Sequence, residues 1–204
     1  MGRRSTGRGG ELRVRIAEEA ARIIREQGVR DFLLAKRKAA ERLGITDRHA
    51  LPANQEIADA LAAQQRLFGG AEHEANLRAL REEALRAMRL LDRFRPRLVG
   101  PVLAGTATPH TDISLHLFAD VPEDVAFLLM ERGIRYQAGE RRVRLGNGSH
   151  VSYPSFAFDL GGALIDAVVF SEQAVREAPT CPVSGGPMRR ARAEEVEALV
   201  VDRA

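Results

Sequence analysis

The spacing of apolar residues changes once along this chain, near residue 95, and that change limits the possible folds more than any other feature. Up to Phe94 the apolar positions recur every three or four residues, as along one side of a helix. Beyond Pro96 they alternate or run in short blocks, as in strands. Leu12, Ile16, Ala20, Ile23 and Gln27 keep the helical spacing through ELRVRIAEEAARIIREQG, and Gly28 stands where a helix would stop. A second helix is expected in RDFLLAKRKAAERLG, ending at Gly44. A third is expected after Asn54 as N-cap, with Ile57, Leu61, Gln65 and Phe68 on one face and a stop at Gly69-Gly70. A fourth runs from about Glu74 to Phe94 on a stripe of Leu77, Leu80, Ala84, Met88 and Leu91, and Pro96 forbids its continuation.

Downstream, LVGPVLAG and DISLHLFAD read as strands and VPEDVAFLLMERG as a helix. Residues 135–170 read as several strands turning at LGNGS and Gly161-Gly162, and EEVEALVV as a short helix or strand. The expected class is α+β: a flexible basic leader over 1–10, a helical module over 11–73, and a domain over 74–204 with a mixed sheet and flanking helices. At 204 residues and 45% hydrophobic, the chain can bury a core of that size. Its single cysteine, Cys181, cannot close an internal disulfide, which suits a reducing compartment. No stretch approaches the roughly eighteen apolar residues of a membrane span, and no apolar run follows the basic start, so a cytoplasmic protein without a membrane partner is expected. The oligomeric state stays open.

The net charge of +3 is unevenly spread, with 13 Lys and Arg against 7 Asp and Glu in the first fifty residues. Lys36, Arg37, Lys38 and Arg42 make nucleic acid a candidate partner through its phosphates, although a charge run on an amphipathic helix ordinarily just faces water. Ala40, Gly44 and Ile45 have the spacing of a helix-turn-helix turn, but Pro52 falls inside the segment that would read bases. There is no G-x-x-x-x-G-K-[ST] phosphate loop and no G-x-S-x-G elbow, which removes the common ATPase and hydrolase readings.

Chemistry is concentrated in LVGPVLAGTATPHTDISLHLF, residues 98–118. An apolar segment ends in Gly105-Thr106, and after a turn a strand begins whose period of two puts Asp112, Ser114 and His116 on one face, opposite Ile113, Leu115 and Leu117. Asp166 sits on a later strand among Leu164, Val168 and Phe170; Asp159, near the Gly161-Gly162 turn, is the weaker candidate for a partner acid. A carboxylate set in an apolar strand needs a hydrogen bond, a counter-charge or a cation.

Over residues 75–170 this order resembles the nucleotidyltransferase superfamily that includes DNA polymerase beta and the minimal bacterial nucleotidyltransferases. Gly105-Thr106 stands at the superfamily's glycine turn, Asp112 at its first metal carboxylate and Asp166 at its third. The resemblance implies that Gly105 and Thr106 hold the phosphates of a nucleoside triphosphate. It also implies that Asp112 and Asp166, the catalytic pair, bind Mg²⁺ (or Mn²⁺), and that the nucleotide passes to an unidentified acceptor. Ser114 occupies the place of the second carboxylate, so metal binding and rate would be weakened. The alternative is a pseudoenzyme on the same fold that binds nucleic acid or regulates a partner. His116, on the Asp112 face, is a candidate compensating metal ligand, though imidazole suits Mn²⁺ or Zn²⁺ better than Mg²⁺; its ordinary role would be that of a hydrogen-bonded histidine in a half-buried strand.

Overall fold

The computed structural model describes residues 4–201 and has the α+β architecture expected from the change of spacing. The chain divides into two compact units, one of residues 1–74 with the short segments 108–111 and 182–184, the other of 75–107, 112–181 and 185–204.

The first unit is helical. Helix α1 spans Arg4–Gln27, so helix begins inside the stretch expected as a leader; residues 1–3 lie outside the described residues. Helix α2 spans Phe32–Arg42 and is capped by Asp31, whose carboxylate accepts from the Leu33 and Leu34 amides. Helix α3 spans Asn54–Gln64. Here Ala53 rather than Asn54 is the capping residue: the Glu56 side chain accepts from the Ala53 amide, while Asn54 Nδ2 donates to Pro182 O at 2.7 Å. Ile16, Ala20, Ile23, Ala35, Ala39 and Ile57 are fully buried where these helices meet. Between α2 and α3 lie residues 43–53, with one 3-10 turn at Arg48–Ala50, far longer than a helix-turn-helix turn.

A π-turn over Gln65–Gly69 leads to helix α4, Gly70–Leu90; the expected stop falls at Gly70, whose φ of 42° breaks the helical path. After Pro96 comes strand β1, Arg97–Val99, and then helix α5, Gly100–Ala104, where the sequence suggested one continuous strand. Proline explains the switch: at the first turn of a helix its missing N–H costs nothing and its fixed φ is already helical. Strand β2 (Ile113–Phe118), helix α6 (Glu123–Glu131), strands β3 (Tyr136–Arg144), β4 (His150–Leu160) and β5 (Ala163–Phe170), and helix α7 (Ala193–Val201) complete the second unit.

The five strands form one mixed sheet in the order β1-β2-β5-β4-β3, in which β2 and β5 are parallel and the other pairs antiparallel. Its core face carries Leu98, Ile113, Leu115, Leu117, Phe156, Phe158, Ile165 and Ala167, packed with Leu77, Ala84 and Met88 of α4, Val125 and Leu129 of α6 and Val196 of α7. The second face carries a smaller apolar cluster of Phe118, Val168 and Phe170, with Val143, Tyr153, Ala174 and Val175 against it.

Candidate functional site

Strand alternation builds the site. Ile113, Leu115 and Leu117 are fully buried, so the residues between them belong to the second face, where Ser114 is half-buried and His116 buried. In the parallel pairing of β2 with β5, Ser114 stands opposite Asp166 and His116 opposite Val168. Asp112, half-buried, comes two residues before Ser114, so the alternation carried back past the start of β2 puts it on this face as well. Ala157 of β4 and Gln137 of β3 continue the row from Asp166. Asp166 thus stands beside Ser114 on two paired strands, and Asp112 precedes the first of them. Asp159 does not join them: it lies at the β4–β5 turn, where its carboxylate accepts from the Gly162 amide at 3.1 Å.

Asp166 already has a partner. A guanidinium Nη of Arg141, from β3, is ion-paired with its Oδ2. Asp166 is one strand from β4 and two from β3, and Arg141 is paired with Tyr153, well along the hairpin from the Asp166 row. Beyond Ser155, β4 no longer pairs with β5, and the distal half of the β3–β4 hairpin is held by its own ladder, by Val143 and Tyr153 packed against Phe118, Val168 and Phe170, and by Thr180, whose amide donates to Arg144 O at 2.8 Å. Gly139, Ser155 and Ala157 pave the surface between Arg141 and Asp166 with small groups, leaving room for a long side chain to cross.

The glycine turn is not where the resemblance puts it. Gly105 is the C-cap of α5, with φ 81°, and both its amide and that of Thr106 donate to Pro101 O, the latter at 3.0 Å. Donors committed to a helix end are not offered to a phosphate. The glycine beside the polar row is Gly100, at the junction of β1 and α5: a Cβ placed there would lie 3.6 Å from Ser114 Oγ, and its φ of 73° is one that side-chain-bearing residues avoid.

His116 is also differently employed. Its Nδ1 accepts from Arg190 Nε at 3.0 Å, and its ring lies 4.6 Å from that of Phe170. Burial, reinforced by the Arg190 charge, pushes its pKa down to about 3, so the imidazole is neutral at physiological pH with its proton on Nε2. A lone pair already used, next to a guanidinium, is a poor place for a metal cation. Arg190 is itself a structural hub. Its Nη1 donates to the carbonyls of Ala174, Val175 and Glu177, and its guanidinium carbon lies 5.1 Å from the Phe118 ring centroid and 5.2 Å from that of Phe170. Burial, then repulsion from Arg97, lowers its pKa to about 10, partly offset by Tyr153.

Among the basic residues of α2, Arg42 is tied to Glu19 of α1 at 3.1 Å and Lys36 is half-buried, its pKa lowered by burial. Lys38 lies one turn before Arg42 and shares its side of the helix, whereas Lys36 and Arg37 point to other sides, so the four do not form one stripe. In the same unit, His110 packs on Gly28, where a Cβ would come within 2.9 Å of it.

Sequence reasoning missed Arg141, Arg190 and Gly100. Arg141 and Arg190 find their partners 25 and 74 residues away, a distance over which no local spacing gives a signal. Gly100 was hidden by reading LVGPVLAG as a strand; Pro101 beside it was the available clue.

Among the described residues, no group of three or more His, Cys, Asp and Glu side chains is placed to hold a metal ion. The oxygen-bearing side chains of this region are the Asp112 and Asp166 carboxylates and the Ser114 hydroxyl, oxygen donors of the kind hard cations take, and Asp166 is already ion-paired with Arg141. Among the described residues no helix is long and apolar enough to cross a membrane. No family model matches the chain, nor does any curated protein or solved structure.

Proposed function

We propose that the Asp112–Ser114–Asp166 end of the second face binds a nucleoside triphosphate and transfers its nucleotide to an acceptor hydroxyl. The observation that carries this reading is the register of β2 on β5, which sets Ser114 opposite Asp166 on parallel strands, with Asp112 one alternation upstream and Gly100 alongside. Asp112 and Asp166 would hold Mg²⁺ or Mn²⁺, hard ions suited to carboxylate and phosphate oxygens. When bound, the ion supplies Lewis-acid neutralisation of charge on the reacting phosphate. The chain does the rest by placement. Ser114 offers a neutral hydroxyl where a third negative charge would compete with the nucleotide, and Gly100 leaves the space over it unfilled. In the reaction an acceptor oxygen bonds to the α-phosphorus as pyrophosphate leaves, and the acceptor's proton is released.

The test is Mg²⁺- or Mn²⁺-dependent transfer from labelled ATP, CTP, GTP and UTP to a mixed pool of acceptors. Activity in the wild type that Asp112→Asn and Asp166→Asn each reduce by about a hundredfold or more supports the reading, since charge placement dominates such chemistry. Undiminished activity in either variant counts against it. A second reading, a non-catalytic protein that binds nucleic acid, draws on the Arg141 pair, which already satisfies Asp166 without a metal. Salt-sensitive RNA or DNA binding with no metal-linked nucleotide binding would favour it.

A further inference from the structure

We propose that the outer half of the β3–β4 hairpin is an arm that binds double-stranded nucleic acid by its phosphates, through Arg142 and Arg144, without reading bases. From Arg141 to Phe158 the chain runs eighteen residues with three arginines and one histidine and without a carboxylate. Elsewhere on the second unit exposed arginines meet acids: Arg78 meets Glu82 at 3.2 Å, Arg89 meets Glu197 at 2.7 Å and Arg95 meets Glu172 at 3.0 Å. Among the described residues, the side chains of Arg142 and Arg144 have neither an ion pair nor a hydrogen bond. Exposed positive charge without counter-charges of its own attracts a polyanion.

Strand alternation decides which way these arginines point. Val143 and Tyr153 pack on Phe118, Val168 and Phe170, and Arg141 is ion-paired with Asp166, so that side of the hairpin is committed to the sheet. Arg142 and Arg144 belong to the opposite side, in register with Ser152 and His150, and all four are exposed. Glu140, one alternation inboard, bounds the patch. The arm is also held in place: Thr180 donates from its amide to Arg144 O at 2.8 Å and from its hydroxyl to Leu145 O at 3.1 Å. Its tip is slim, since Gly146 and Gly148 carry no side chain and Asn147 and Ser149 short ones, and the Leu145 amide closes it by donating to Ser149 O at 2.9 Å. A two-stranded ribbon of this kind fits an open groove of a duplex, and the roughly 7 Å of strand between Arg142 and Arg144 lets each take its own phosphate. The chemistry of this side favours a duplex over other anionic partners. Around the two arginines there is no Phe, Tyr or Trp for the bases of a single strand to stack on, and no apolar anchor for a membrane or a protein interface.

The experiment follows the fluorescence anisotropy of a labelled mixed-sequence DNA duplex of about twenty base pairs, the same duplex in RNA, and one single strand, each titrated with the full chain from about 50 to 200 mM salt. The wild type should bind a duplex more tightly than the single strand, with an affinity that falls steeply as salt rises and is indifferent to sequence. The tighter of the two duplexes identifies which one the arm meets. Arg142→Ala and Arg144→Ala should each weaken duplex binding about fivefold and reduce the salt slope by about one. Arg142→Lys should keep most of the affinity, because a phosphate contact of this kind needs the charge more than the fork. The variant with both alanines should lose about twentyfold while its circular dichroism melt matches the wild type. Lys38→Ala, on the basic helix α2, should bind as the wild type does. The proposal is overturned by no duplex binding at low salt, by full binding in the double variant, or by a loss on Lys38→Ala in its place. It is equally overturned by tighter binding of the single strand, or by polyglutamate displacing the duplex at equal charge. Absence of nucleotide transfer at Asp112 and Asp166 would leave it standing.

Discussion

The two faces of β2 are built on different principles. Ile113, Leu115 and Leu117 point into a core closed by helices, where each is fully buried and the requirement is volume and apolarity. Ser114, His116 and Phe118 point the other way and change character along the strand, from a half-buried hydroxyl beside a carboxylate to a buried imidazole and then a buried ring. The far end of that face is buried against Arg190; the near end is half-buried and carries the acids. A packed face tolerates many sequences of similar volume, whereas the second face depends on particular pairs, Arg190 with His116 and Arg141 with Asp166.

Neighbouring residues on β2 and their partners give ways to separate the two principles. Leu115→Ala should cost about 2–5 kcal/mol in urea unfolding, because it opens a cavity in the closed core. Arg190→Ala should cost about 2–3 kcal/mol, since three carbonyls and the His116 Nδ1 lose their donor in a partly buried setting. A pH-dependent effect attaches to His116. Its pKa falls from 6.5 to about 3 on folding, so its contribution is complete above pH 6.5 and is lost as pH drops towards 3. The loss is about 1.4 kcal/mol per pH unit within that window, as the unfolded chain takes up a proton that the folded one refuses. Unfolding His116→Gln beside the wild type between pH 7 and 4 should show this slope in the wild type and its absence in the variant. Smallest of all, Ser114→Ala should change stability by less than about 0.5 kcal/mol, as expected for a half-buried hydroxyl outside the core. A loss from Ser114→Ala as large as that from Leu115→Ala would abolish the distinction between the faces.

The same contrast explains what was legible in the sequence. Helices α1 to α4, α6, and the core face of β2 follow from periodicity, because burial on one side imposes a repeat that a single sequence displays. Asp112, Ser114 and Asp166 were readable for the same reason, as polar breaks in otherwise apolar strands. What escaped were features fixed by tertiary context. LVGPVLAG has the apolarity of a strand, yet Pro101 turns its second half into α5, and with it the Gly105 and Thr106 amides become a helix cap. His116 was readable as a polar residue on the Asp112 face, but its role is set by an arginine 74 residues later. Arg141 sits in a run of charged residues on an exposed strand, indistinguishable by composition from solvated surface until the hairpin brings it to Asp166.

The most direct measurement is a Mn²⁺ titration of the ¹⁵N-labelled protein in the presence of a non-hydrolysable nucleoside triphosphate, followed by paramagnetic broadening of backbone amides. Broadening centred on Gly100, Ser114 and Asp166, and removed by Asp166→Asn, is the predicted result. Broadening centred on another surface, or a pattern indifferent to Asp166→Asn, would contradict the placement of the nucleotide's ion on this face of the sheet.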